Sequence, residues 1–416
     1  MAIIKPFYCV RPNEEVAARV AALPYDVYNR AEARVEAKRE PLSFLNIDRP
    51  ESQFPEDFDM YSQPVYEKAR DMIREWIENG TFVQDPDECY YIYEQVMDGR
   101  SQTGIVACSA VDDYQNNIIK KHELTRAEKE ADRIRHIDVS EAQTGPIFLA
   151  FRERAEIKAI VEAAKVGEPL YDFVTKEGVA QRVWKLSDPV QVKALEEAFK
   201  EVPYTYIADG HHRCASANKV ALKRREANPN YTGEEPYNTF LSVLFPETEL
   251  YIMDYNRVVK DLNGLTSEEF LAKLEEINWE VKKAEVAPYK PTRKMEFGMY
   301  LDGQWYAIGP KCMMLIEDPV RNLDVSILQE QVLQPILGIG DPRLDKRIDF
   351  IGGIRGLGEL ERRCNLDMKV AFAMYPTSMH ELFDVADAGL LMPPKSTWFE
   401  PKLLSGLFLH LIGETK

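Results

Sequence analysis

Apolar residues recur along this chain with two spacings, every second position and every third or fourth, and the switches between them mark its elements. The period-two signal is clearest at residues 89–97 and 102–111, where two runs rich in Tyr, Ile and Val flank Asp98-Gly99; this predicts a β-hairpin. Further strands are predicted at 145–151, 181–186 and 239–246, and the apolar run 41–47 reads as another. Helical spacing predicts helices at 30–40, at 65–78 with Asn79-Gly80 as its stop, and at 189–202, while 14–22 is an amphipathic segment closed by Pro24.

Beyond Leu250 the pattern changes. Strands are predicted at 251–259, 295–300 and 305–308, the last two around Asp302-Gly303, with helices at 267–277 and 323–337. The expected fold is mixed, α/β to α+β. Residues 1–250 form the larger N-terminal domain with insertions, and 251–416 a smaller α+β domain whose loop 392–402 reaches the cleft of the first. A length of 416 residues exceeds what one core usually serves.

Composition narrows the function classes. With 52 Lys+Arg against 69 Asp+Glu the formal charge is −17, a surface that repels polyanions, so no nucleic-acid partner is expected. No run is apolar enough to span a membrane and the start lacks a signal-peptide core, which predicts a cytoplasmic protein without a membrane partner. Six cysteines without a C-x-x-C pair fit reduced thiols.

The chemistry concentrates in Asp209-Gly210-His211-His212-Arg213. A short β-type run ends at Asp209-Gly210 and a helical pattern begins at once, which aims backbone N–H groups and a positive helix end at the space beside two imidazoles and a guanidinium. That combination suits a phosphate or carboxylate. Metal ligation by the adjacent histidines is the weaker option, because neighbours in sequence meet one ion awkwardly. Cys214 is either a nucleophile or a small buried helix residue, the second being favoured.

A second stretch, 118–136, places Lys121, His122 and Glu123 at the entrance of a helix opened by a Thr125/Glu128 capping box, with Arg126, Lys129, Arg133 and His136 on one side. Four of the six histidines fall in these two stretches, which suggests that both face one cavity. Asp26, behind Pro24-Tyr25, is read either as a base or metal ligand or as the cap of the next helix. Lys395, Ser396 and Thr397 stand on a proline-bracketed loop suited to binding a substrate or docking a domain. The glycines of 345–355 match neither a P-loop nor a dinucleotide fingerprint.

Taken together, Leu23-Pro24-Tyr25-Asp26-Val27, His122-Glu123-x-Thr125, Asp132-Arg133, Gly145-Pro146-Ile147-Phe148, the Ala208–Arg213 turn, Asp349-Phe350-x-Gly352-Gly353 and 392–397 resemble the domain of unknown function 1015 family over nearly the whole chain. The Asp-Gly-His-His-Arg turn is also similar, more remotely, to that of the ParB/sulfiredoxin-like superfamily, which includes free-serine kinases. The resemblance implies a ParB-like mixed-sheet first domain binding a nucleotide, ATP or ADP with Mg²⁺, through Gly210, His211, His212 and Arg213, to which the reading of the residues themselves adds Asp209, Lys121 and Arg126. It implies a small-molecule kinase for a hydroxylated metabolite, free L-serine being the acceptor suggested. Asp26, His122, Glu123, Arg133 and His212 would be catalytic, Asp26 or Glu123 would hold Mg²⁺, and Lys395, Ser396 and Thr397 would bind substrate. A phosphate-ester hydrolase acting on phosphoserine and a non-catalytic nucleotide-binding regulator are the alternatives. The oligomeric state is left open, a homodimer among the options.

Overall fold

The structure, a computed structural model, describes residues 1–125, 127–312 and 315–413. The chain forms two compact units, one of Met1–Leu250 with Pro401–Lys416 and one of Tyr251–Glu400. The segment from Pro401 onward, placed with the second domain by sequence, thus falls with the first. The reason lies in its side chains: Leu404, Leu407, Phe408 and Leu409 are buried, and its backbone pairs with Val10, Ala22 and Gln143 of the first unit.

The first unit is built on a nine-stranded mixed sheet. Its strands are β1 (Ile4–Lys5), β2 (Tyr90–Met97), β3 (Arg100–Ala110), β4 (Ile119–Lys120), β5 (Ile147–Phe151), β6 (Tyr171–Val174), β7 (Ala180–Leu186), β8 (Thr205–Asp209) and β9 (Thr239–Pro246). They run in the order β4-β8-β5-β9-β3-β2-β7-β6, with β1 on β3. Two neighbouring pairs, β8 with β4 and β9 with β5, are parallel and the rest antiparallel. The expected hairpin is β2–β3, and Asp98 and Gly99 both take positive φ, as a two-residue turn matched to the strand twist requires.

Among the helices of this unit are α1 (Arg30–Arg39), α2 (Gln63–Glu78), α3 (Ala127–Ser140) and α4 (His211–Ala227), the last two carrying candidate residues marked by sequence. Along α3 the buried positions are Glu130, Arg133, His136, Ile137 and Ser140, so the inward stripe is largely polar. Cys214, Ala217, Val220 and Ala221 of α4 join Ile137, Ile207, Leu149 and Ile105 in the main apolar cluster. The buried polar groups of the α3 stripe are paired, Arg133 with Asp132, His136 with the Ile47 carbonyl and Glu130 with Lys219.

The run 41–47 is not the strand expected. Phe44, Leu45 and Ile47 are all buried and a short helix, Leu45–Asp48, forms instead. The Asn46 amide donates to the Ser43 carbonyl at 3.1 Å and the Leu45 N–H to the Ser43 hydroxyl at 3.3 Å, so the segment closes on itself. Short apolar runs do not separate strand from buried helix by periodicity alone.

The second unit carries a six-stranded antiparallel sheet: β10 (Tyr255–Val259), β11 (Trp279–Lys283), β12 (Phe297–Leu301), β13 (Gln304–Pro310), β14 (Ile348–Gly352) and β15 (Val370–Ala373), in the order β11-β13-β12-β15-β10-β14. Val258, Trp305, Ile351, Leu360 and Ala371 form its core. The protein is thus a mixed α/β chain with one large mixed sheet and a separate antiparallel one. Among the described residues no helix is long and apolar enough to cross a membrane.

Candidate functional site

Strand β8 does not end smoothly. Ile207 pairs with Leu149 but Asp209 pairs with Phe148, so one residue is extra and the strand bends just before the turn. Gly210 follows with φ of +91° and caps α4, a conformation that side chains disfavour. The bend and the turn direct Asp209, His211 and Arg213 to different sides of the helix start. The first N–H groups of α4 lack intrahelical partners and carry the positive end of its dipole.

On one side, Arg213 is half-buried and its Nη1 donates to the Pro146 carbonyl at 2.6 Å. Two glycines make room for it: a Cβ on Gly145 would lie 3.2 Å from Nη1, and one on Gly210 would lie 3.2 Å from Nε. Arg213 shares a cleft with Tyr25, Asp48, Arg133, His136, Thr144, Gly145 and Ser405. The cleft has about 420 Å³ of empty volume counting its open mouth, but the enclosed part is only about 20 Å³. That interior has room for about one water molecule. A larger ligand is held at the mouth or displaces lining side chains.

Arg133 is buried and pairs with Asp132, at 2.9 Å through Nε and 2.8 Å through Nη2, while its guanidinium carbon lies 4.2 Å from the centre of the Tyr25 ring. Burial opposes its charge, but Asp132, Tyr25 and Asp48 outweigh that and hold the guanidinium firmly protonated. The Thr144 hydroxyl donates to Asp48 at 2.7 Å, and His136 Nε2 meets the Ile47 carbonyl at 2.9 Å. Burial, with Arg133 nearby, pushes the His136 ring below its ordinary value and keeps it neutral.

On another side, His122 and His211 meet edge to face with ring centroids 4.5 Å apart. Both are buried, and burial pushes His122 down to about 4 and His211 well below its ordinary value, so both are neutral near pH 7. Neither ring nitrogen of His122 has a hydrogen-bond partner among the described residues; the Ile207 carbonyl favours the protonated ring without completing a bond. Leaving such a polar group buried and unpaired costs about 1–3 kcal/mol. The ligand atoms of His122, Glu123 and His211 all lie within 4.8 Å of one another.

Asp209 lies between these groups. It accepts from Lys402 Nζ at 3.2 Å and from the Gly210 N–H at 2.9 Å. Burial raises its pKa, but Lys402 and Arg213 overcome this and hold it down at about 2.

A model of the family described as "Protein of unknown function (DUF1015)" matches residues 4–326. The chain belongs to the DUF1015 family. Among solved structures, it is similar to a free serine kinase in complex with AMP, at 14% identity and a TM-score of 0.35 over 71% of this chain and 86% of that one. It is similar to SbnI with a C-terminal truncation from Staphylococcus aureus, at 13% identity and a TM-score of 0.37 over 72% and 85%. A conserved hypothetical protein from Pyrococcus furiosus matches at 15% identity and a TM-score of 0.34 over 74% and 95%. None of the curated proteins matches. Likenesses at this level say nothing about what this chain binds.

In this DUF1015 protein the residues singled out by sequence divide into groups. Arg133 and Arg213 share the cleft, whereas His122, Glu123 and His211 form a separate cluster. Lys121 lies 3.8 Å from the centre of the Tyr114 ring and does not line the cleft. His212, half-buried at the second position of α4, also lies outside the lining, and Arg126 lies outside the described residues. Asp26 is exposed on a turn, and it does not cap α1: Asn29 does, accepting from Glu32 N at 3.0 Å while Glu32 Oε2 accepts from Asn29 N at 2.9 Å. Its neighbour Tyr25 is the cleft residue. Cys214 is buried and its thiol is pushed far up by burial, which removes the nucleophile option.

Lys395, Ser396 and Thr397 belong to the second unit. The Lys395 carbonyl accepts from Arg257 Nη2 at 3.0 Å, and the Ser396 hydroxyl donates to the Pro393 carbonyl at 2.7 Å. Sequence reasoning did not single out Asp48, Thr144, Lys402 or Ser405. Thr144 adjoined a marked segment and Lys402 ended the marked loop 392–402, but their partners became visible only through the fold.

Proposed function

We propose that the cleft binds the phosphates of a nucleotide and that the protein is a small-molecule kinase with a hydroxylated metabolite as acceptor. The observation that supports this reading is the meeting of Arg133 and Arg213, from two separate motifs, in one cleft beside the start of α4. Two guanidiniums and oriented backbone N–H groups form a preorganised receptor for phosphate oxygens. Phosphoryl transfer asks chiefly for positioning and charge stabilisation, which such groups supply.

In this reading, which adopts the ParB/sulfiredoxin-like frame implied by the sequence resemblance, the backbone N–H groups that follow Gly210 and the Arg213 guanidinium hold the phosphates of ATP or ADP. Arg133 offsets the charge of the transferring group. The acceptor oxygen attacks the terminal phosphorus, the bridging P–O bond breaks, and its electron pair leaves with the shortened nucleotide. Asp26 takes the hydroxyl proton, and Asp26 or Glu123 would hold Mg²⁺, which would offset charge on the phosphates. For the acceptor, free L-serine is the first compound to try.

The test is a thermal-shift screen of the full chain with ATP, ADP and AMP, followed by product analysis with L-serine and other hydroxy acids. Nucleotide-dependent stabilisation that Arg213→Ala removes, with a phosphorylated acceptor formed only when nucleotide is present, supports the kinase. Inorganic phosphate released from phosphoserine without nucleotide would replace it with a hydrolase. Tight nucleotide binding without turnover would replace it with a regulatory binding protein.

A further inference from the structure

We propose that His122, Glu123 and His211 form a binding site for a borderline divalent transition-metal ion, of which Zn²⁺ is the type. Their donor atoms lie within 4.8 Å of one another, a spread that a small side-chain adjustment closes onto one ion.

The two imidazoles come from segments far apart in sequence, the entrance to α3 and the first residue of α4, and the fold brings them edge to face. His122 is only 2% exposed, yet both its ring nitrogens are unpartnered among the described residues. Native structures rarely leave such a group unsatisfied without a bound water or ion to account for it. His211 presents a lone pair toward the same place: its Nε2 accepts the His122 backbone N–H at 3.5 Å, the outer limit of a hydrogen bond, and so is readily given up to an ion. Glu123 is exposed, which puts the carboxylate on the solvent side of the two buried rings. An ion held there would have an entry path and at least one open position for water or a phosphate oxygen.

The donor set decides the metal class. Two nitrogens and one carboxylate suit Zn²⁺ and its first-row neighbours, whereas Mg²⁺ takes oxygen ligands almost throughout. This assignment gives Glu123 to the transition-metal ion and leaves Asp26 for the Mg²⁺ of the kinase reading, and its binding of metal does not depend on nucleotide.

The experiment uses the full chain without an affinity tag, stripped with a chelator and titrated with Zn²⁺ and Co²⁺ alone, nucleotide being absent. The expected result is one equivalent of Zn²⁺ bound and a visible Co²⁺ absorption band. Glu123→Gln, a change at an exposed position, should weaken binding at least tenfold and shift the band, and His211→Asn should abolish the band. Stoichiometric binding that neither substitution alters would overturn the assignment, as would the absence of a one-equivalent phase. Metal binding with no nucleotide response would instead leave this site standing and remove the kinase.

Discussion

Gly145 and Gly210, far apart in sequence, both leave space for a single guanidinium, that of Arg213. A methyl group on either would come within 3.2 Å of that side chain. Gly210→Ala adds to this the strain of a positive φ, about 1–2 kcal/mol. Both Gly145→Ala and Gly210→Ala are expected to reduce nucleotide-induced thermal stabilisation, and Gly210→Ala alone to lower the melting temperature of the unliganded chain clearly. Full nucleotide response in both variants would show that the Arg213 position is not critical.

The two arginines of the cleft should separate by experiment. Arg213→Ala loses one hydrogen bond, to Pro146, and should cost about 1.5–3 kcal/mol while removing the ligand response. Arg133→Ala leaves the Asp132 carboxylate without its guanidinium in a buried setting and should cost about 3–5 kcal/mol. Denaturant unfolding of the two variants checks the order, and equal losses would contradict it.

Much of this site was legible as composition and little of it as geometry. The Asp209–Arg213 turn announced itself, because an Asp-Gly break before two histidines and an arginine has no packing purpose, and the strand, left-handed glycine and helix follow in that order. The expectation that both basic stretches face one cavity holds for Arg133 and Arg213 but not for Lys121, whose ammonium settles over Tyr114. Nothing local distinguishes those outcomes, since Lys121 and Arg133 lie on opposite ends of the same segment and only the sheet decides which way each turns. The pairing of His122 with His211 was hidden by the more conspicuous His211-His212 neighbours, which a helix start points in different directions.

The Asp209–Lys402 pair should show as a coupling energy. Thermal unfolding of Asp209→Asn, Lys402→Ala and the double variant is expected to give an interaction of about 0.5–3 kcal/mol, because the two groups touch at 3.2 Å. Additive effects would mean that the contact contributes nothing.

His410 of the first unit and Asp324 of the second should contribute to stability with opposite pH dependence. Burial pushes His410 of the first unit down to about 4, so its neutral ring, with Nε2 on the Pro236 carbonyl at 2.9 Å, is favoured by folding. Its contribution is complete above the ordinary histidine value near 6.5 and is lost as pH falls toward about 4. Burial pushes Asp324 of the second unit up to about 7, against the Met295 N–H that favours its charge. There the protonated form is favoured, so the contribution is complete below about 4 and is lost as pH rises through about 7. Melting curves across this range should show His410→Gln flattening the acid loss and Asp324→Asn flattening the loss above neutrality. Profiles parallel to the parent would refute either assignment.

A fragment ending at Leu250 should fail to fold cooperatively, since it lacks Lys402, the buried Leu407, Phe408 and Leu409, and the strand that pairs with Ala142–Gln143. Adding Pro401–Lys416 as a separate peptide tests this by recovery of a single sharp melting transition.

The return of Pro401–Lys416 to the first unit also sets an order of events during translation. The ribosome releases the whole of Tyr251–Glu400 before it supplies the last pieces of the body it began with. The later-made unit can therefore mature while the earlier-made one still waits, reversing the usual N-terminal-first sequence. Until then Asp209 has no Lys402, and the nascent chain carries the Asp209–Arg213 turn in an unfinished state.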